Sequence, residues 1–129
     1  MPMVGDVYFF ANVIVRGNFD CSSNRLTSLK GCPVEVSREF DCSWNDITIN
    51  LIGAPQIVGD FWCRSNGLRS LIGGPRHVKG NYICIDNNLT SLEGLPEIIE
   101  GDLDISDNDA EFRETDILRV CDVQGRIRV

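Results

Sequence analysis

The chain has a single histidine, no Cys-x-x-Cys pair and no apolar run near the roughly eighteen residues that cross a bilayer. The missing run excludes a membrane-spanning helix. His77 has no partner or pocket signature beside it, and no Ser-His-Asp spacing, phosphate-binding glycine loop or helix-borne metal motif occurs. We therefore expect a protein that is not an enzyme, with no catalytic residue, no metal and no cofactor. Basic residues are scarce, 12 against 19 acidic ones for a net charge of −7. That excludes sequence-independent binding to nucleic acid, which needs a basic face to displace counterions. The stretch Val7 to Val15 is apolar but short, has no basic residue before it and ends in no small-residue cleavage site, so it does not read as a signal peptide. A cytoplasmic protein is expected.

What the sequence does have is a repeat. Phe19-Asp20-Cys21-Ser22-Ser23-Asn24-Arg25-Leu26 recurs as Phe40-Asp41-Cys42-Ser43-Trp44-Asn45-Asp46-Ile47 and as Phe61-Trp62-Cys63-Arg64-Ser65-Asn66-Gly67-Leu68. It returns as Tyr82-Ile83-Cys84-Ile85-Asp86-Asn87-Asn88-Leu89 and fades at Leu103-Asp104-Ile105-Ser106-Asp107-Asn108-Asp109-Ala110, with a spacing of 21 residues throughout. In the second half of each unit Leu29, Leu51, Leu71 and Leu92 precede Gly31, Gly53, Gly73 and Gly94, each followed by Pro33, Pro55, Pro75 or Pro96. The second unit has one extra residue before Leu51 and one fewer between Pro55 and Cys63, so the register recovers.

A unit this short cannot bury its own apolar side, so successive units must stack around one shared core. The 129 residues then form one domain. Residues 1–16 are expected to be an N-terminal cap, 17–109 the repeats, about four and a half coils, and 110–129 a C-terminal cap. In Phe-x-Cys the two apolar residues lie two apart, which on a strand turns both to one face. The asparagine three residues after each cysteine sits where the chain leaves the strand, and its amide can satisfy backbone groups of the neighbouring coil. The Leu-x-Gly-x-Pro return is too rich in Gly and Pro for a helix and should run extended, near polyproline II. The expected fold is a solenoid with a parallel sheet on one side, a Phe19/Phe40/Phe61/Tyr82 ladder inside and a short C-terminal capping helix.

The pattern Phe40-x-Cys42-x-x-Asn45-x-Ile47, with its three counterparts, resembles the core signature of leucine-rich repeats, and the resemblance covers roughly residues 17–109. The Asn-x-Leu-Thr-Ser-Leu-x-Gly-x-Pro wording is similar to repeat proteins encoded by tailed bacteriophages and some bacteria. Aromatic residues at the first core position and cysteine at the second depart from the family pattern. The resemblance implies a protein-binding scaffold. More specifically, it implies a phage protein that acts in the bacterial cytoplasm and inhibits a host factor, such as part of a defence or restriction system.

At the ends, Tyr8 falls one period before Leu29 and Val15 one period before Val36, as a partial first coil would require. Ala110 to Cys121 is expected to hold the capping helix, with Asp107 or Asp109 as its N-cap. Gly125 to Val129 alternates polar and apolar residues, like a last strand that covers the sheet edge or pairs with another chain. Cys21, Cys42, Cys63 and Cys84 share a repeat position that Ile105 also occupies, so they read as buried free thiols. The partners of Cys32 and Cys121 are not set by the repeat, though a capping contact suits Cys121.

Two surfaces are candidates for function. Between and after the core Phe and Cys, the outer coils place Asp20, Asp41, Asp104 and Ser22, Ser43, Ser106, whereas the middle coils place Trp62, Arg64, Ile83 and Ile85, with Trp44 close by. These five should form one exposed apolar patch with an arginine, and such patches mark interaction sites. Cross-strand packing on any sheet would favour the same residue types. The patch would serve a protein partner or, alternatively, a homodimer. The second surface is acidic: eleven of the nineteen acidic residues lie between Asp86 and Asp116, with Arg113 the only basic one there. Asp86, Asp102, Asp104, Asp107 and Asp109 could imitate nucleic-acid phosphates before a basic partner. Their spacing fits no calcium loop.

Overall fold

The structure is a computed structural model that describes Phe10 and residues 12–129. Tyr8, and with it most of the expected N-terminal cap, lies outside the described residues. The chain is a parallel β-solenoid of about five coils of about 21 residues. Its strands are β1 (Ile14–Val15), β2 (Phe19–Asp20), β3 (Glu35–Asp41), β4 (Ile57–Trp62), β5 (His77–Val78), β6 (Tyr82–Ile83), β7 (Ile98–Ile99) and β8 (Leu103–Asp104). Helix α1 (Glu114–Val120) follows, then β9 (Asp122–Val123) and β10 (Ile127–Arg128).

Each coil contributes to two parallel rows. One row aligns Phe19, Phe40, Phe61, Tyr82, Leu103 and Ile127. The other aligns Val15, Val36, Val58, Val78, Ile99 and Val123. The return is therefore not free polyproline II. After each proline it pairs with its neighbour, as in Gln56 N–H to the Val34 carbonyl and Arg76 N–H to the Gln56 carbonyl, both 2.9 Å. Buried backbone without water demands such partners. The compensating length change of the second unit is a bulge between Val36 and Glu39, where Ser37 and Arg38 face the single residue Gly59.

The inward positions form columns. The rings of Phe19, Phe40, Phe61 and Tyr82 stack with centroids 5.8, 5.5 and 5.2 Å apart and interplanar angles of 7°, 14° and 14°, and Phe10 caps the stack edge-on. Burying each ring contributes on the order of 2–3 kcal/mol, with about 1 kcal/mol more from stacking. Beside them run Cys21, Cys42, Cys63, Cys84 and Ile105, all buried, and every cysteine of the chain is a free thiol. The asparagine ladder is present. Asn45 Oδ1 accepts from the N–H groups of Asn24 and Leu26 at 2.9 and 2.8 Å, while its Nδ2 donates to the carbonyls of Cys21 and Cys42, both at 3.0 Å. Asn66 and Asn87 repeat the arrangement one and two coils on.

The C-terminal cap differs from expectation in one respect. Arg113, not Asp107 or Asp109, holds the N-cap position of α1, and it makes no side-chain capping bond. The aspartates instead stay with the turn of the last repeat, where Asn108 still bonds the Cys84 carbonyl at 3.1 Å. The helix occupies the place of a fifth Leu-x-Gly-x-Pro return, burying Ile117. Beyond it, β9 and β10 resume the two rows, with Ile127 opposite Leu103, so the last strand covers the sheet edge of its own chain. No helix among the described residues is long and apolar enough to cross a membrane.

Candidate binding face

On the outward side of the first row, three coils carry an Asp-x-Ser bracket, complete in the first and fifth coils and half-closed in the second, where the Ser43 hydroxyl accepts from the Arg64 N–H at 3.0 Å instead. In coil 1, Asp20 Oδ1 accepts from the N–H and the hydroxyl of Ser22 at 2.9 and 2.6 Å. Asp41 accepts from the Ser43 N–H at 2.9 Å, and Asp104 from the N–H and hydroxyl of Ser106 at 3.0 and 2.6 Å. A carboxylate two residues before a serine thus satisfies the strand end locally, as an Asx turn does. In coils 3 and 4 that bracket is gone, because Trp62-x-Arg64 and Ile83-x-Ile85 replace Asp-x-Ser. Register places Asp41, Trp62, Ile83 and Asp104 side by side.

The five residues do come together, but they are less exposed than the sequence suggests. Trp62, Ile83 and Ile85 are half-buried, and only Arg64 and Trp44 are exposed, the latter by 60%. Outward side chains on rungs about 4.8 Å apart shield one another. The Trp62 Nε1 atom is buried without a hydrogen-bond partner. Trp44 is singular in another way. The residue before each ladder asparagine is left-handed, at φ 55° for Ser23, 58° for Trp44, 52° for Ser65, 57° for Asp86 and 55° for Asp107. The other four are small or polar. Holding a bulky ring in that region costs roughly 1–2 kcal/mol, and such strain gathers at functional positions. Trp44, Trp62 and Arg64 line a shallow recess of about 270 Å³ with Glu39, Asp41 and Ser43.

Glu39 was not singled out from the sequence, yet a signal was there. A glycine followed by Asn or Asp precedes the core position in Gly17-Asn18, Gly59-Asp60, Gly80-Asn81 and Gly101-Asp102. These form a second polar ladder: Asp60 Oδ1 accepts from Asn81 N–H at 2.7 Å, Asn81 Oδ1 from Asp102 N–H at 2.9 Å, and Asp102 Oδ1 from Arg126 N–H at 2.8 Å. The glycine makes room for the preceding coil's side chain, since a Cβ on Gly80 would lie 2.0 Å from Asp60 Oδ1. Coil 2 breaks the pattern with Arg38-Glu39. Its Glu39 carboxyl is pushed above the usual carboxylate range by partial burial and by Asp41, Asp60 and Asp20 around it.

Of the acidic candidates, Asp86, Asp102, Asp107 and Asp109 are exposed and Asp104 is buried, and all but Asp107 accept a hydrogen bond within the fold. Asp86 accepts from the Ser65 hydroxyl at 2.7 Å, Asp102 belongs to the second ladder, Asp104 is 9% exposed in its bracket, and Asp109 accepts from Asn88 Nδ2 at 3.2 Å. Asp107 stands exposed at its turn. His77 pairs with Glu100 at the surface of the return row. Burial pushes the Cys42 and Cys84 thiols up, hydrogen bonds from those two neighbours pull the Cys63 thiol between them down to about 5, and all three are buried. Among the described residues, no group of three or more His, Cys, Asp or Glu side chains is arranged to hold a metal. The chain matches no protein-family model, no curated protein and no solved structure.

Proposed function

We propose that the protein is a non-enzymatic binding module that presents the outward face of its middle coils to a partner protein. One observation carries this reading: the self-satisfied Asp-x-Ser bracket gives way in coils 3 and 4 to Trp62, Arg64, Ile83 and Ile85, beside the strained and exposed Trp44. Trp and Arg are the side chains most enriched at binding hot spots. The likeness to leucine-rich repeats of tailed bacteriophages supports a bacterial host factor as the partner, met in the cytoplasm and inhibited by occlusion, with a defence or restriction component the specific candidate.

The experiment compares wild type with Trp44→Asn and with Trp62→Ala, Ile83→Asp. Asparagine tolerates the left-handed region, so Trp44→Asn is expected to fold at least as stably as wild type while losing capture of a partner from bacterial lysate. Equal capture by both folded variants would remove this face from the function. Light scattering on the same proteins separates self-association. A wild-type dimer that Trp62→Ala, Ile83→Asp dissolves would assign the face to a second copy instead.

A further inference from the structure

We propose that the recess between Trp44 and Trp62 seats a basic side chain of the partner, an arginine or lysine whose stem lies against the indoles and whose cationic head meets Glu39 and Asp41. This rests on the binding reading above and adds the chemistry of what is bound. Over coils 1–3 the outward strand positions carry four carboxylates, Asp20, Glu39, Asp41 and Asp60; Arg64 lines the recess with Glu39 and Asp41, and Arg38 and Lys79 line the adjoining one with Glu39 and Asp60, so the carboxylates still outnumber the cations. None of the four is ion-paired; the ion pairs among the described residues are Arg76–Glu97, His77–Glu100 and Arg119–Asp116. Asp20, Asp41 and Asp60 at least accept backbone N–H groups. The Glu39 side chain, half-buried among them, makes no hydrogen bond.

At the far end of the same face the carboxylates are matched by cations, because β10 brings Arg126 and Arg128 beside Asp102 and Asp104. A partner laid along the solenoid would thus be oriented, its basic group over coils 1–3 and its apolar contact over Ile83 and Ile85. Indole faces add to such a site, since cations are attracted to aromatic rings more strongly when partly desolvated. Electrostatic complementarity of this kind sets register and partner choice more than raw affinity.

The chain has two tryptophans and both line this recess, so intrinsic fluorescence reports on it alone. The probe is a hexa-arginine peptide titrated into the full chain at about 0.15 M salt, where long-range attraction is largely screened. A saturable change in tryptophan fluorescence is expected, with hexa-glutamate producing none. Glu39→Gln, Asp41→Asn should weaken binding at least about tenfold, whereas Asp107→Asn, Asp109→Asn, which removes the same charge elsewhere, should change it less than about twofold. Both substitutions in the recess are near-isosteric, and Asn keeps the acceptor for the Ser43 N–H. Glu39→Gln alone repeats the test if the pair proves unstable. Equal weakening by the two double variants, a response to hexa-glutamate, or no saturable change would each overturn the proposal. If lysate capture then survives Glu39→Gln, Asp41→Asn but not Trp62→Ala, Ile83→Asp, the binding face stands and the basic side chain is wrong. If it survives both, the face itself is wrong.

Discussion

Replacing Asn66 by alanine tests how much of the fold the asparagine ladder carries. Asn66 is 4% exposed, and its Oδ1 is the acceptor for two N–H groups of the preceding coil, Asn45 at 3.0 Å and Ile47 at 3.3 Å. Its Nδ2 bonds the carbonyls of Cys42 and Arg64 at 3.1 and 3.2 Å, but these keep other donors, Asn45 Nδ2 and the Trp44 N–H. The variant therefore orphans two buried backbone donors. At about 1–3 kcal/mol for each, the loss is about 4 kcal/mol, a large share of a small domain's stability. Among the described residues, the Asn24 side chain, at the start of the ladder, bonds only carbonyls of its own turn, Cys21 and Ser22. Asn24→Ala should cost no more than about 1 kcal/mol. Equilibrium urea unfolding, read by circular dichroism, measures both against wild type. Costs within about 1 kcal/mol of each other would refute the reasoning, because the two residues differ chiefly in the N–H groups they accept.

Four further substitutions probe separate parts of the fold. Gly101→Ala places a Cβ 2.4 Å from Asn81 Oδ1 and 2.5 Å from the Gly80 carbonyl, and should cost about 2–4 kcal/mol in urea unfolding by breaking the second ladder. Gly67→Ala, at φ +72° with nothing nearer than 3.5 Å, should cost only about 1 kcal/mol; the reverse order would mean that backbone strain outweighs the close approach. Tyr82→Phe removes a buried hydroxyl that has no hydrogen-bond partner, so thermal unfolding should show a variant as stable as wild type or up to about 1 kcal/mol more so, and a clear loss would reveal a partner for that oxygen. Glu39→Gln carries a pH signature. The native carboxyl is raised by burial and by Asp41, Asp60 and Asp20, with Arg38, Arg64 and Lys79 the cations around the same recesses. Ionising it costs the folded state more than the unfolded one. That cost is present above the raised pKa and fades as pH falls through it, so the variant should be more stable than wild type at neutral pH and equal to it below about pH 4; an advantage that persists in acid would contradict this.

The inward half of the fold was legible because each inward position is repeated. Phe19, Phe40, Phe61 and Tyr82 announce one column, Cys21 to Ile105 a second, and Asn24 to Asn108 the ladder that ties one coil to the next. What escaped was pairing in the return and the role of Gly80, Asn81 and their counterparts. A return read by composition alone looks like unpaired extended chain, and Gly-Asx looks like an ordinary turn until the next coil is stacked beneath it. The helix start was misplaced for a related reason: Asp107 and Asp109 are good caps locally, but Asn108 between them is already committed to the ladder. The candidate face was located by its departure from the repeat. Its exposure was not, since shielding between Trp62, Ile83 and Ile85 depends on the spacing of rungs.

That departure carries weight because the fold does not need it. The ladders, the ring stack and the thiol column are satisfied inside each coil and with its neighbours, so the outward rows contribute little that another residue could not supply. Where the sequence simply closes the strand end, it uses Asp20 with Ser22, Asp41 with Ser43 and Asp104 with Ser106, three times the same device. The same device would have served coils 3 and 4. Trp62 gives up that bracket and leaves its Nε1 buried without a partner, Trp44 accepts a left-handed backbone that Ser23 and Ser65 bear more easily, and Glu39 displaces the Gly-Asx pair to sit unpaired among like charges. Three independent costs fall on residues that line one recess of about 270 Å³. Cross-strand shielding accounts for the burial of Trp62; a partner that neutralises the carboxylates would relieve the like-charge cost at Glu39, and contact with the exposed Trp44 ring would offset the strain there.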